Sequence, residues 1–165
     1  MVKGSQDTAK DIYQRLLDDI SLSYEAGDFD AFTTYFDLPH TTYTFEKSYT
    51  IKTLSDLRSV FDNMRAQFSG LGVTNYIRVC LTAEYLSPSV IRGTHVTHVT
   101  KDGHHLEEPY PVMSHLNFTE GLWKVAQSEN AVEDTKIFGM AVRQGLNPTI
   151  PARLSKSGPT GEKND

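Results

Sequence analysis

The strand-rich second half of the chain most constrains the fold. Side chains typical of strands run from residue 75 to residue 131 with few breaks. The breaks carry turn-forming residues, at Ser87-Pro88-Ser89, Asp102-Gly103 and Glu120-Gly121. Asp-Gly is the typical sequence of a tight two-residue hairpin, so consecutive strands are expected to pair antiparallel. This half of the chain therefore predicts one large meandering sheet.

The first half predicts three helices around one short hairpin. Apolar residues recur at spacings of three and four over residues 6–27, 29–36 and 53–70. Asp28 and Thr53 are suitable N-caps for the second and third helix, and Gly27 suits the end of the first. Residues 40–52 alternate in the manner of a hairpin. Helices followed by a long meander predict an α+β fold, with a curved sheet wrapped around three N-terminal helices and a pocket inside.

The turns also predict which side chains face the helices. The turn at Asp102-Gly103 sets His95 opposite Tyr110, and the turn at Glu120-Gly121 sets Val112 opposite Glu129. A three-residue loop at 87–89 extends the same register backwards. Since side chains alternate along a strand, one face should pack on the helices. That predicted inner face comprises Ile77, Val79, Leu81, Tyr85, Ile91, Val99, Leu106, Val112, Leu116, Phe118, Trp123 and Val125.

Length and charge bound the class of protein. The 165 residues suit one domain, and the net charge of -5 without a basic cluster argues against nucleic acid or membrane partners. The single Cys80 excludes an internal disulfide, and nothing near Met1 suggests a signal peptide, so a cytoplasmic location is expected. We expect a flexible arm over 1–6, a domain over 7–131, and an extension over 132–165 that is helical to about 146 and disordered from about 155.

Four segments together resemble the nuclear transport factor 2-like superfamily and, within it, the SnoaL-like family. They are the helix break at 24–32, the exit at 35–39, the helix after Thr53, and the last strand at 120–125. The resemblance implies a cystatin-like, cone-shaped fold with an internal pocket, and a homodimer formed through the sheet. It implies no particular reaction, because the fold hosts isomerases, dehydratases, polyketide cyclases, small subunits of ring-hydroxylating dioxygenases, transport factors and proteins of no known activity.

Four of the six histidines lie in one predicted hairpin, which raises the question of a metal site. His95 and His98 are three apart on a strand and so point to opposite faces, as do the neighbours His104 and His105. The sequence has no His-x-His, no cysteine partner and no helical His-Glu-x-x-His. We therefore expect no metal, and no organic cofactor.

His95 is the candidate acid–base residue, because the register places it on the inner face. Tyr110 is its predicted hydrogen-bonding partner and Glu129 the predicted orienting carboxylate. A buried carboxyl beside a histidine that titrates near neutrality would suit proton transfer. The alternative is that these polar groups only satisfy one another near the open end of the cone.

The remaining predicted site residues would contact a ligand. The first hairpin should place His40 near the mouth of the pocket, with Tyr43 either as a hydrogen-bond donor or as a wall. The other predicted ligand-binding residues are Phe45, Phe61, Leu81, Ser114, Trp123 and Gln127. The expected ligand is small and mostly apolar, with a carbonyl or hydroxyl group.

Three functions stay open on this basis. The first is proton transfer without a cofactor, of the isomerase, dehydratase or cyclase type. The second is a non-catalytic ligand-binding or interaction module. The third is a structural small subunit of a ring-hydroxylating dioxygenase, as the resemblance allows.

Overall fold

The computed structural model describes residues 7–146, so the predicted arm over 1–6 and the predicted disorder from about 155 lie outside the described residues. No helix within 7–146 is long and apolar enough to cross a bilayer. The elements in chain order are α1 (Ala9–Ala26), α2 (Phe29–Thr33), β1 (Phe36–Tyr43), β2 (Ser48–Ile51), α3 (Leu54–Leu71), β3 (Asn75–Ser87), β4 (Val90–Lys101), β5 (His104–His105), β6 (Tyr110–Thr119), β7 (Leu122–Asn130) and α4 (Ile137–Leu146).

The strands form one mixed sheet. The order is β2-β1-β7-β6-β4-β3, with β5 paired to β4. Only the β1–β7 pairing is parallel within the described chain, and the others are antiparallel. The second helix ends at Thr33, and β1 already begins at Phe36, four residues before the predicted hairpin. The predicted α+β architecture is confirmed.

The helix ends are set by local hydrogen bonds. Thr8 and Asp11 form a capping box at the start of α1, and Thr53 and Asp56 form another at the start of α3. Gly27 ends α1 in the left-handed conformation that glycine adopts without strain. The buried faces of α1 and α3 then pack on the inner face of the sheet, where Ile91 is fully buried.

A β-bulge on β7 reverses the alternation of that strand. The predicted pairs Phe118–Trp123 and Leu116–Val125 are present, but Ala126 is an extra residue before Gln127 pairs with His115. Beyond the bulge Asn130, and not Glu129, lies opposite Val112. The prediction that Gln127 and Glu129 face inward is therefore wrong, because one extra residue moves every following side chain to the other face.

A second bulge has the same effect on β3. Cys80 pairs with His95 and Thr82 with Thr94, which leaves Leu81 as the extra residue. As a result Ile77, Val79 and Leu81 lie on the outer face with 47%, 45% and 50% of their surface exposed. Their predicted inward orientation is wrong, and Tyr76, Arg78 and Cys80 face inward instead.

The predicted pairing of His95 with Tyr110 is also wrong, but without consequence for their orientation. The short β5 pairs as predicted, with Lys101 opposite His104. The chain leaves the ladder over residues 106–109, so Tyr110 pairs with Thr97 and His95 with Val112. A shift of two residues preserves the face, and both side chains remain buried. Leu106, which leaves the ladder, and Phe118, near the turn, are 38% and 44% exposed rather than buried.

The last helix, α4, closes one end of the cone. It begins at Ile137 rather than at the predicted Glu133. At this start, the Ile137 amide donates a hydrogen bond of 2.7 Å to the Glu107 carboxylate. Just before it, the buried Asp134 carboxylate accepts hydrogen bonds from the hydroxyls of Tyr49 and Thr44. The helices α4 and α3 pack closely at Gly145, because a Cβ at this position would lie only 2.9 Å from the Val60 backbone.

The contact between α1 and β4 predicts a sensitive glycine. A Cβ at Gly93 would lie 2.5 Å from two ring carbons of the fully buried Tyr13. We expect Gly93→Ala to lower the free energy of unfolding by about 1–3 kcal/mol, because the ring has to shift in a filled core. Urea denaturation followed by circular dichroism measures this. The control is Gly70→Ala in α3, where nothing lies within 4 Å; equal stability of the two variants would contradict the prediction.

Candidate ligand-binding cavity

A cavity of about 120 Å³ lies between the helices and the inner face of the sheet. Its wall is mostly apolar, and the helices contribute Leu17, Ile20, Phe32, Phe61, Met64 and Val142 among others. For comparison, an apolar cavity of about 150 Å³ holds one benzene molecule. The volume therefore limits a ligand to roughly the size of a single small ring.

The polar part of the wall comes from the strands. Alternation on β1, β4 and β6 carries polar side chains inward, and the bulges bring in those of β3 and β7. The polar lining side chains are His40, Thr42, Tyr76, Arg78, His95, Thr97, Tyr110, Ser114, Ser128 and Asn130, together with Tyr24 of α1.

His95 is held by a tyrosine from the first helix. The Tyr13 hydroxyl lies 2.7 Å from His95 Nδ1 and 3.3 Å from the Gly93 carbonyl oxygen. The donor in the shorter contact depends on the tautomer of the ring: when the hydroxyl donates to Nδ1, the proton of the neutral ring is on Nε2. Within residues 7–146, His95 Nε2 has no hydrogen-bond partner. In the tautomer with the proton on Nε2, this nitrogen is an N–H donor in the wall of the cavity.

Burial keeps these groups uncharged at neutral pH. Burial, with a smaller contribution from the Arg78 charge, lowers the pKa of His95 to about 3. Burial likewise raises the pKa of Tyr13 to about 12 and raises the pKa of Tyr110 well above its usual 10. The expectation that His95 titrates near neutrality is therefore wrong. As a neutral imidazole it is a weak base but a competent hydrogen-bond donor.

The polar groups around His40 satisfy one another. His40 Nδ1 lies 3.3 Å from the Val125 carbonyl oxygen, and Asn130 Nδ2 donates to Thr42 at 2.8 Å. The Ser128 hydroxyl joins both, 2.8 Å from Thr42 Oγ1 and 3.5 Å from His40 Nε2. Burial lowers the pKa of His40 to about 4. This cluster ties β1 to β7 and leaves few donors for a ligand.

Five of the predicted site residues line the cavity. They are His40, Phe61, His95, Tyr110 and Ser114. His40 was predicted near the mouth of the pocket, but it is buried, with 4% of its surface exposed.

The other predicted site residues lie elsewhere. Leu81, Gln127 and Glu129 are outside because of the two bulges. Tyr43 alternates outward from Thr42 and is 38% exposed, and Phe45 follows the end of β1 and is 69% exposed.

Trp123 also does not line the cavity. It packs against Tyr85 and Phe118, near the end of the sheet remote from His95. In this position the indole covers the edge of the core and contacts no polar group of the site.

Several site residues were not predicted from the sequence. Thr42 follows His40 by two positions, so alternation alone would have found it. Tyr13 belongs to the apolar stripe of α1, and only its contact with His95 distinguishes it. Arg78, Ser128 and Asn130 face inward only because of the bulges. The sequence carries no recognisable signal for these bulges.

Within the described residues, no group of three or more histidine, cysteine or acidic side chains is arranged to hold a metal ion. His98 and His105 form an exposed pair, with His98 Nδ1 lying 3.2 Å from His105 Nε2. They are on the outer face, away from the cavity.

No protein-family model matches the chain, and no curated protein matches it. Solved structures do. An NTF2-like protein of unknown function from Shewanella oneidensis is 10% identical with a TM-score of 0.60, over 73% of this chain and 97% of that one. A cystatin-like domain of unknown function from Nostoc punctiforme is 11% identical with a TM-score of 0.58, over 92% and 96%.

A ketosteroid isomerase-like protein from Erwinia carotovora atroseptica is similar to the same degree. It is 11% identical with a TM-score of 0.54, over 76% of this chain and 97% of that one. At such identities the likeness establishes the fold alone. The chain has the nuclear transport factor 2-like fold, also called cystatin-like, which confirms the prediction. Its place in the SnoaL-like family stays a prediction.

The buried histidines predict a pH dependence of stability. The pKa values of His95 and His40 are lower in the folded chain than the usual 6.5, so the unfolded chain binds more protons below pH 6.5. Stability should be independent of these groups above pH 7. It should fall from about pH 6.5 to about pH 4 through His40 and to about pH 3 through His95, by up to about 1.4 kcal/mol per pH unit for each histidine.

Urea denaturation of His95→Gln at pH 7 and at pH 5 measures the contribution of His95. We expect a smaller loss of stability between the two pH values than in the natural chain. The control is His104→Gln at an exposed position of the β4–β5 turn. A loss as large in His95→Gln as in the natural chain would contradict the prediction.

Proposed function

We propose that the cavity binds one small, mostly apolar molecule with a carbonyl or hydroxyl group. The observation that carries the proposal is the neutral His95, positioned by Tyr13 and left with an unpartnered Nε2 among the described residues of a largely apolar cavity. Buried polar groups in proteins are nearly always hydrogen-bonded, so an unpartnered donor beside a cavity indicates a ligand or an ordered water. The ligand oxygen would accept the hydrogen bond from Nε2.

Binding is better supported than proton transfer. No aspartate or glutamate lines the cavity within residues 7–146, and Glu129, the expected carboxylate, is on the outer face. A general base works best with a pKa near the working pH, whereas the pKa of His95 is about 3. The proposal accordingly includes no cofactor and no metal.

Replacement of His95 tests this proposal. We expect His95→Leu to weaken binding of cyclohexanone about two- to tenfold, because one neutral hydrogen bond is lost. Binding of benzene, which accepts no such bond, should not weaken. Ligand-observed NMR titration measures both affinities.

The matched control is His115→Leu, the same change at a residue that follows the inward Ser114 on β6 and faces outward. It should bind cyclohexanone like the natural chain. Absence of binding of both molecules to the natural chain would overturn the proposed function.

We also propose that the chain forms a homodimer through the outer face of the sheet. The apolar side chains of Ile77, Val79 and Leu81, at alternate positions of β3, are each about half exposed. Val79 pairs with Val96 on β4. Contiguous apolar surface of this kind typically marks an interface.

We propose a cytoplasmic location as well, since the one cysteine, Cys80, is a buried free thiol.

A charge at the centre of this face should weaken the dimer. We expect Val79→Arg to raise the dimer dissociation constant at least about tenfold, since the guanidinium would be desolvated without a partner. Sedimentation velocity measures it, with Phe45→Arg in the β1–β2 turn as the control. A monomeric natural chain would contradict the proposal. A stable dimer would count against a dioxygenase small subunit, which needs a larger partner.

A further inference from the structure

Arg78 contributes a positive charge to the wall of the cavity. It lies on the inner face of β3 because of the bulge at Leu81. Its Nη2 donates to the Leu17 carbonyl oxygen at 3.0 Å and to Ser21 Oγ at 2.9 Å. Its guanidinium carbon also lies 5.0 Å from the centre of the Tyr76 ring. All these partners are neutral.

The charge of Arg78 is therefore uncompensated within the described chain. The ion pairs of arginine among residues 7–146 are surface pairs formed by Arg15, Arg58 and Arg92. No carboxylate lines the cavity in that part of the chain. Arg78 is half-buried, and its Nε is shut off from solvent without a hydrogen-bond partner in residues 7–146. A cation that has lost part of its hydration is stabilised by an anion beside it.

Two donors near this charge also lack partners. Arg78 Nε and the Tyr24 hydroxyl are both buried without a hydrogen bond in residues 7–146, and both residues line the cavity. The contrast with the His40 cluster, whose groups satisfy one another, is plain. The cavity wall thus contains two further unused donors, Arg78 Nε and the Tyr24 hydroxyl, in addition to His95 Nε2.

We infer that the ligand of this cavity is a small monocarboxylate whose carboxylate group pairs with Arg78. A guanidinium offers donors in a planar fork that matches a carboxylate, and such charge-assisted bonds are about twice as strong as neutral ones. The apolar remainder of the ligand would lie against the helix side chains. The cavity of about 120 Å³ is somewhat smaller than the one of about 150 Å³ that holds the six carbons of benzene, so it suits an acid of about five to seven non-hydrogen atoms. This inference rests on the proposed function and names the class of its ligand.

The test compares an acid with its neutral isostere. Isovalerate and isovaleramide have the same shape, and isobutyrate and isobutyramide form a second pair. In ligand-observed NMR titrations of the full chain at pH 7, we expect each acid to bind at least about tenfold more tightly than its amide. Equal affinity of acid and amide would overturn the inference while leaving the proposed function intact. If neither acids, amides nor cyclohexanone bind, the proposed function itself fails.

Substitution of Arg78 assigns the preference to this side chain. Arg78→Gln should bring acid and amide to within about twofold of each other, whereas Arg78→Lys should keep part of the preference because it keeps the charge. The control Arg92→Gln removes a surface arginine and should leave the ratio unchanged. If Arg78→Gln does not fold, the natural chain and Arg78→Lys still decide the question. A ratio that persists in Arg78→Gln would overturn the role of Arg78.

Discussion

The site depends on where the alternation of two strands is reversed. Without the extra residues Leu81 and Ala126, β3 and β7 would present Val79 and Glu129 to the helices instead of Arg78 and Asn130. Each bulge adds one residue on one strand only. Counted outward from the hairpin turn, every side chain of that strand beyond the bulge therefore changes face, while the partner strand is unaltered. The bulges thus add the inward side chains of β3 and β7 to the polar wall of the cavity, and the bulge on β3 places its apolar side chains on the outer face.

A second constraint is the contact between α1 and β4. Gly93 leaves room for the Tyr13 ring, whose hydroxyl reaches His95 Nδ1. One contact therefore both brings the helix close to the sheet and positions the histidine ring. Because the same burial removes the ring from water, the pKa of His95 falls and the imidazole stays neutral. The packing of α1 on β4 therefore also lowers the pKa of His95. A neutral imidazole with a low pKa suits hydrogen bonding to a ligand better than general acid–base catalysis.

The two polar regions of the cavity differ in how well they are satisfied. Around His40, hydrogen bonds link β1 and β7 and complete one another, which stabilises the only parallel strand pairing of the described chain. Around His95 and Arg78, donors remain unpaired in residues 7–146 and one positive charge has no counterion. A closed network serves the fold, while an open one costs stability unless a ligand completes it. This asymmetry supports the proposal that a ligand binds at the end of the cavity with His95 and Arg78.

The sequence by itself determined the α+β class, the helix caps at Asp28 and Thr53, the turns at Asp102-Gly103 and Glu120-Gly121, and the inward position of His95. These follow from local chemistry: periodicity, capping and turn residues act over a few positions. Only the tertiary structure decided that Glu129 is outside, that Arg78 is inside and that His95 is neutral. A bulge is set by how a curved sheet fits its helices, and a pKa by everything packed around the group, so neither is written in neighbouring residues.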